Sequence, residues 1–288
     1  MTRSRLLLSL VSACAGVTAL LMASTPASAR TTASDPGRTP RSSTTGFDVS
    51  WPQCPSSFPG GGAFGIVGVT NGRPWGANPC LSTQYAWAAG LPSAPGFYMN
   101  TANPAPHSSF YWPASGSSDP ALCKDSTSVA DPGCAYDYGW WAADNALTST
   151  VAALSAAGAP SYVATSSAWW LDVETGNSWN GTGSANAADL QGSIDYLRSH
   201  GIPSVGLYST GYQWNAITGG YTTRSAPSYA SAWQAEFTSA YGISSSPDWV
   251  AGAGSARQAA RLCSSSFTGA AVQLTQYPLG GFDADLRC

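Results

Sequence analysis

Acidic side chains are scarce in this chain of 288 residues, fifteen Asp and Glu in all, so carboxylates set inside an apolar run stand out. The run Ala168-Trp169-Trp170-Leu171-Asp172-Val173-Glu174 holds two of them. Residues i and i+2 of a strand point the same way, so Asp172 and Glu174 share one face at the strand's C-terminal end. Asp48, in Phe47-Asp48-Val49-Ser50-Trp51, stands near the end of another short apolar run. Carboxylates grouped in this way suit glycoside cleavage. One carboxylic acid protonates the leaving oxygen, and a second carboxylate acts as base or nucleophile or stabilises charge at the sugar carbon. The donor must hold its proton near neutral pH. Lifting a Glu by about two pH units costs roughly 3 kcal/mol, which burial and the repulsion of a neighbouring carboxylate supply. The bland alternative is a salt-bridged or water-facing pair, yet few Lys or Arg lie nearby in sequence.

Other chemistries find less support. No Gly-x-Ser-x-Gly elbow sits at a strand-to-helix turn, and His107 and His200 both lie away from strand ends, which argues against a Ser/His/Asp hydrolase. No Cys-x-x-Cys occurs, so no metal site and no cofactor are expected. Gly60-Gly61-Gly62 precedes a strand instead of joining strand to helix, and reads as a turn, not a phosphate loop. Lys and Arg are few and unclustered, which excludes nucleic acid and acidic membranes as partners. Twelve Trp and thirteen Tyr on a weakly charged chain suit an uncharged polar ligand such as a sugar, although most of these rings must fill the core.

The acids need elements to position them, and the chain alternates accordingly. Short apolar runs at 47–51, 64–70, 96–100, 168–174, 205–209, 249–252, 271–275 and 282–286 read as strands. Tyr138 to Ala157, with Trp141, Leu147, Val151 and Leu154 at helical spacing, reads as a helix capped by Gly158, and Ala187 to Ser199 as another. Ala226 to Phe237 is a weaker helix. His200, at the end of a helix before Gly201, reads as structural. Strand and helix in alternation imply parallel strands with crossover helices, and the length from residue 46 onward suits one α/β barrel. Helical patterns thin toward the C-terminus, so the expected fold is an irregular TIM-type (β/α) barrel with helix-poor C-terminal strands. In such a barrel the C-terminal strand ends carry the chemistry.

The N-terminus reads separately. Arg3 and Arg5, the apolar stretch Leu6 to Met22 and Ala27-Ser28-Ala29 form a secretory leader, residues 1–29, with an A-x-A cleavage site. Residues 30–45, rich in Thr, Ser, Pro and Arg, read as a flexible linker, and 46–288 as the barrel. Cleavage removes Cys14 and leaves six cysteines, an even set that in an exported chain implies disulfides. Six allow fifteen pairings; pairing nearest neighbours gives Cys54–Cys80, Cys123–Cys134 and Cys263–Cys288, each worth about 3 kcal/mol on the loop-entropy model.

With these residues in view, the chain resembles a known family. Gly46-Phe47-Asp48-Val49-Ser50-Trp51-Pro52-Gln53 is similar to the opening Gly-x-Asp-Val-Ser-x-x-Gln strand of glycoside hydrolase family 25, the secreted muramidases. Leu171-Asp172-Val173-Glu174 resembles its Asp-x-Glu strand, Leu207-Tyr208-Ser209-Thr210 its Tyr-Ser strand, and Trp249-Val250-Ala251 its Trp-x-Ala strand. Gln273 to Gln276 and Gly281 to Asp285 resemble its final Gln-rich strand and closing Asp. A related actinobacterial group of glycoside-hydrolase-like barrels carries similar strands. The resemblance implies an irregular barrel, Glu174 as the acid, Asp172 assisting it, Asp48 in the same cluster with Asp285 (or Asp283) as the fourth carboxylate, and Tyr208 and Gln273 at the substrate. The implied substrate is peptidoglycan, cut between N-acetylmuramic acid and N-acetylglucosamine. The insert at 101–134 and the disulfides depart from the family pattern.

Further candidates lie at predicted strand ends. Trp51, Trp179, Trp214 and Trp249 are placed to stack on sugar faces or to pack in the core, and Gln53, Asn71 and Asn100 to bond hydroxyl or acetamido groups or to serve turns. The sequence thus leads to a secreted, monomeric glycoside hydrolase acting on peptidoglycan or a related N-acetylated glycan. The alternative is a cell-wall-binding barrel that keeps the aromatic lining without turnover.

Overall fold

A computed structural model of the chain describes residues 44–54, 57–106, 108–116, 122–225 and 242–288. The leader, the linker as far as residue 43, His107 and the weak helix at 226–237 lie outside the described residues.

Eight strands close into one barrel in sequence order: β1 Thr45–Val49, β2 Gly65–Gly68, β3 Gly96–Asn100, β4 Trp169–Asp172, β5 Val205–Ser209, β6 Asp248–Val250, β7 Val272–Leu279 and β8 Phe282–Arg287. Strands β1 to β7 pair in parallel. β8 is antiparallel to both β7 and β1, so the all-parallel pattern expected from alternation fails at the last strand. The cause is local. A two-residue turn, Gly280-Gly281, with both glycines at positive φ, folds β8 straight back on β7 with no room for a crossover helix.

Side chains alternate across the barrel wall with period two. Val67, Phe97, Met99, Trp169, Leu171 and Leu207 face outward into the main core. Ile66, Tyr98, Trp170, Tyr208, Trp249 and Leu274 form a second cluster that fills the interior. The same alternation turns Asn100 and Asp172 inward.

The helices of the outer layer are α1 Leu81–Ala89, α2 Pro132–Ala156, α3 Val163–Ser166, α4 Gly183–Ser199, α5 Gly211–Thr218 and α6 Ala256–Leu262. The long helix α2 begins well before the predicted Tyr138. Asp131 caps it by accepting from Cys134 N at 3.0 Å, and Pro132 takes the first turn, where its missing N–H costs nothing. Likewise α4 starts at Gly183, ahead of the predicted Ala187, behind the Thr182 cap. α2 and α4 pack with backbones nearly touching. A Cβ on Gly139 would stand 1.9 Å from Asp189 O, and one on Gly192 2.1 Å from Tyr136 O, so no other residue fits at either crossing point.

Three disulfides join Cys54–Cys80, Cys123–Cys134 and Cys263–Cys288, the nearest-neighbour set. The first ties the turn after β1 to the start of α1. The second closes the insert onto α2, and the third clips the end of α6 to the chain's last residue. Among the described residues no helix is long and apolar enough to cross a membrane.

Candidate active site

The inward positions nearest the C-terminal ends of the strands converge on a cavity of about 150 Å³, lined by Asp48, Tyr98, Asp172, Glu174, Tyr208, Trp249, Gln276 and Asp283. Four of these eight residues are acids, and none is Lys, Arg or His. Strand register brings them together: Asp48 faces Asp283, Asn100 pairs with Asp172, Asp172 with Tyr208, and Tyr208 with Trp249.

Each acid is held differently. Asp172 ends β4 with its side chain buried. Asn100 Nδ2 donates to Asp172 Oδ2, and Asn100 is itself fixed by Thr70 Oγ1, which donates to its Oδ1 at 2.7 Å. Asp172 Oδ1 is buried without a partner. Burial first, then the charge of Glu174, raises Asp172 well above the usual carboxylate range, against the pull of the Asn100 bond. Glu174 lies just past the strand, half-buried, on a turn whose backbone is pinned: its carbonyl accepts from Asn177 N at 3.1 Å and from Trp179 Nε1 at 2.9 Å. Gln213 Nε2, at the head of α5, approaches Glu174 Oε1 at 3.4 Å.

Across the cavity, Gln276 Nε2 donates to Asp48 Oδ2 at 2.9 Å while Tyr208 Oη donates to Gln276 Oε1 at 2.8 Å. That chain fixes which way the amide points. Burial, then the neighbouring Asp283, pushes Asp48 up to about 7, partly offset by the Gln276 bond. Asp283 is itself raised by burial. Asp285 sits one inward position deeper, fully buried, with neither carboxylate oxygen in a hydrogen bond. Burial, then the charge of Asp48, lifts it well above its ordinary value. Carboxyls so packed, with no cation among them, cannot all ionise at neutral pH.

Asp48, Asp172, Glu174, Tyr208 and Trp249 therefore share one cavity. Between the two closing acids left open by the sequence, Asp283 lines it and Asp285 lies beneath. The other candidates lie elsewhere. Asn100 is behind Asp172, as its positioning partner. Gln53 Oε1 accepts from Ser50 N at 2.8 Å and braces the turn after β1. Asn71 is in the β2–α1 loop, off the cavity, its N bonded to Gly76 O. Trp51 stands on the turn after β1, 45% exposed and off the cavity. Trp179 carries the Glu174 carbonyl, and Trp214 is core, donating to Tyr221 O at 2.5 Å. Gln273 is a correction. It follows Val272 near the start of β7, exposed at the opposite end of the barrel with Arg287 and Cys288, because inward positions on that strand are 274 and 276. The alternation of Gln273-Leu274-Thr275-Gln276 about the apolar Leu274 carried that signal. Gln276, Tyr98 and Gln213 were not singled out from sequence.

Among the described residues no group of three or more His, Cys, Asp or Glu is arranged to hold a metal ion.

An α/β barrel with an acid-lined mouth is the class this geometry defines, and comparison with known proteins narrows it. The family model described as Lysozyme-like protein 1 matches residues 145–246, the stretch that carries Asp172, Glu174, Tyr208 and Gln213. A protein of Dictyostelium discoideum described as probable GH family 25 lysozyme 4 is 45% identical over 53 residues, 18% of this chain. That match spans about a quarter (24%) of the relative's length. Among solved structures, a muramidase from Acremonium alcalophilum superposes with a TM-score of 0.50 at 16% identity, covering 85% of this chain and 93% of that one. A muramidase from Trichobolus zukalii gives 0.48 at 16% identity over 85% and 94%. The chain thus has a glycoside hydrolase family 25-like barrel, the fold that its opening pattern resembles.

Proposed function

We propose that this barrel is a muramidase-like glycoside hydrolase acting on peptidoglycan or a related N-acetylated glycan, with Glu174 as the proton donor. One observation carries the reading: four carboxylates and no cation line a single cavity at the strand ends where barrel chemistry occurs. The lysozyme and muramidase descriptions of its relatives supply the substrate class.

Roles follow from position. Glu174, at the rim beside Gln213, is within reach of a glycosidic oxygen. Asp172, beneath it, is raised well above its ordinary range by burial and then by the charge of Glu174. A sugar seated over the pair excludes water from the rim and sets its glycosidic oxygen against the Glu174 carboxyl, the proton donor. As the bond breaks, Asp172 faces the positive charge growing at the sugar carbon or orients the substrate's acetamido group, and water then bonds to that carbon and gives up a proton to complete the hydrolysis. Asp48 and Asp283, with Asp285 beneath them, give the opposite wall carboxyl oxygens and no cation, so nothing there opposes that charge. Tyr208 and Tyr98 present ring and hydroxyl to the sugar, with the buried Trp249 packed behind them.

The leader and the linker ahead of β1 belong to the same reading, as an export signal and a tether for a monomer working outside the cell. The three disulfides support that location, since such bonds persist in oxidising surroundings. The deciding experiment is Glu174→Gln, which keeps shape and removes the acid. Release of reducing ends from purified peptidoglycan should fall by about 10²–10⁴-fold. Undiminished release from the variant would end the assignment. Wild-type protein that sediments with peptidoglycan but releases nothing would instead identify a binding barrel.

A further inference from the structure

A second cavity, of about 540 Å³, opens at the same end of the barrel. Its walls come from three loops that follow strand ends: Gly72–Gly76 after β2, the insert between β3 and α2, and Gly176–Ser178 in the turn after Glu174. Gly176 is two residues beyond Glu174, so their Cα atoms are no more than about 7 Å apart. A ligand seated on Glu174 therefore borders this cavity.

The two cavities differ in charge. Among the described residues, Arg73 is the only charged one lining the larger cavity, and it is exposed. The acid cavity would repel an anion; its neighbour offers a cation and no acid. An aromatic shelf stands beside Arg73. The Trp75 and Tyr111 rings stack with centroids 4.0 Å apart and planes within 3°, and Tyr111 stays 48% exposed, so the side away from Trp75 is open.

The walls are held firmly. Among the described residues, Trp75 and Ala105 are the two non-glycine positions at positive φ, 69° and 59°, one in each of two loops that wall the cavity. Such backbone costs about 1–3 kcal/mol and persists where its surroundings fix it, commonly at ligand sites. Asn103 Oδ1 fixes Ala105 by accepting from its N at 3.1 Å. Below, buried Asp137 accepts from Leu122 N and Cys123 N at 2.9 and 3.0 Å and anchors the insert to α2. A site already in shape binds without paying to order itself.

We propose that this insert-walled cavity seats the acidic peptide branch of a peptide-bearing glycan, with the Arg73 guanidinium donating to a peptide carboxylate and Tyr111 packing against the branch. The proposal rests on the glycan-cleaving reading of the acid cavity: the neutral bond to be cut lies over the acids, and the anionic substituent falls over the neighbouring cation.

The test compares kcat/KM on peptidoglycan with its peptides intact and on the same glycan stripped of peptide by an amidase. Wild-type protein should prefer the peptide-bearing form. Arg73→Ala should lower the ratio of the two values by about five- to tenfold, the range for one partly exposed charge-assisted contact, and Arg73→Lys should recover part of it. A ratio unmoved by Arg73→Ala overturns the proposal. Should wild-type protein cleave neither form, the hydrolase reading fails by itself, and binding then decides. A soluble disaccharide-tetrapeptide titrated into Glu174→Gln protein should bind about fivefold more weakly once Arg73→Ala is added. Equal affinity, or no binding to either, counts against it.

Discussion

Two sets of buried acids occupy this molecule, and they are built on opposite plans. Asp248, at the start of β6, is surrounded by donors: Ser266 Oγ at 2.6 Å, Phe267 N at 2.8 Å and Thr268 N at 3.2 Å reach its Oδ2, and Thr268 Oγ1 reaches its Oδ1 at 2.6 Å. The cavity acids are starved of donors. Asp172 has Asn100, Asp48 has Gln276, and Asp285 has neither oxygen bonded. Both sets are raised by burial, but at Asp248 four hydrogen bonds oppose the rise. A carboxylate wrapped in donors is structural; its function is to hold a loop. A carboxylate among other carboxylates keeps a proton within reach, and only that arrangement serves acid catalysis.

Substitutions should separate the two plans sharply. The largest effect belongs to Glu174→Gln, where activity falls about a thousandfold while the melting temperature stays within a degree or two of wild type, since the side chain is only half-buried. Asp248→Ala should do the reverse. It strands the buried N–H groups of Phe267 and Thr268, each costing about 1–3 kcal/mol, so urea unfolding should register a loss of about 3 kcal/mol. The folded fraction should still cleave its substrate at near the normal rate. A thermally silent Asp248→Ala, or a Glu174→Gln that unfolds, would dissolve the distinction.

The contrast was only half visible in the sequence. Asp48, Asp172 and Glu174 stood out because each sits in an apolar run short enough to read as a strand, and period two then fixed which way they point. The two plans could not be separated there, because the donors to Asp248 arrive from residues 266 to 268, across an element boundary. Parity about Leu274 would have chosen Gln276 over Gln273, yet glutamines at both positions blur a polar-apolar reading. Short helices escaped for another reason. α5 and α6 have eight and seven residues, too few for a helical period to emerge. Their starts are nonetheless marked by Thr210 with Gln213 and Ser255 with Gln258, the Ser/Thr-x-x-Gln spacing in which each hydroxyl accepts from the third residue's N. The cavity beside Arg73 was illegible, since its walls are three loops meeting only after the barrel closes.

Asp48 sharpens the comparison through pH. Its folded value of about 7 stands above the ordinary 3.8, so between those limits the unfolded chain has released a proton that the folded chain retains. Stability therefore falls as pH rises from about 4 to about 7. Asp48→Asn removes the carboxyl and keeps an oxygen for Gln276. Because Asp283 and Asp285 share in the proton load, the net gain at pH 7.5 should be on the order of 2 kcal/mol, with little change at pH 4. Urea melts at the two pH values measure it, and a variant that parallels wild type at both would mean that Asp48 ionises freely.

The smallest effect falls on Gln53, which lies in the opening pattern next to Asp48 in sequence but works for the backbone. Its Oε1 accepts from Ser50 N across the turn Trp51–Gln53. Removing that acceptor in Gln53→Ala should cost about 1 kcal/mol, the usual worth of a capping contact, and leave KM for the glycan where it was. A several-fold rise in KM at unchanged stability would move Gln53 out of the structural group and to the substrate. The turn would then carry a binding function beyond its hydrogen bonding to the backbone.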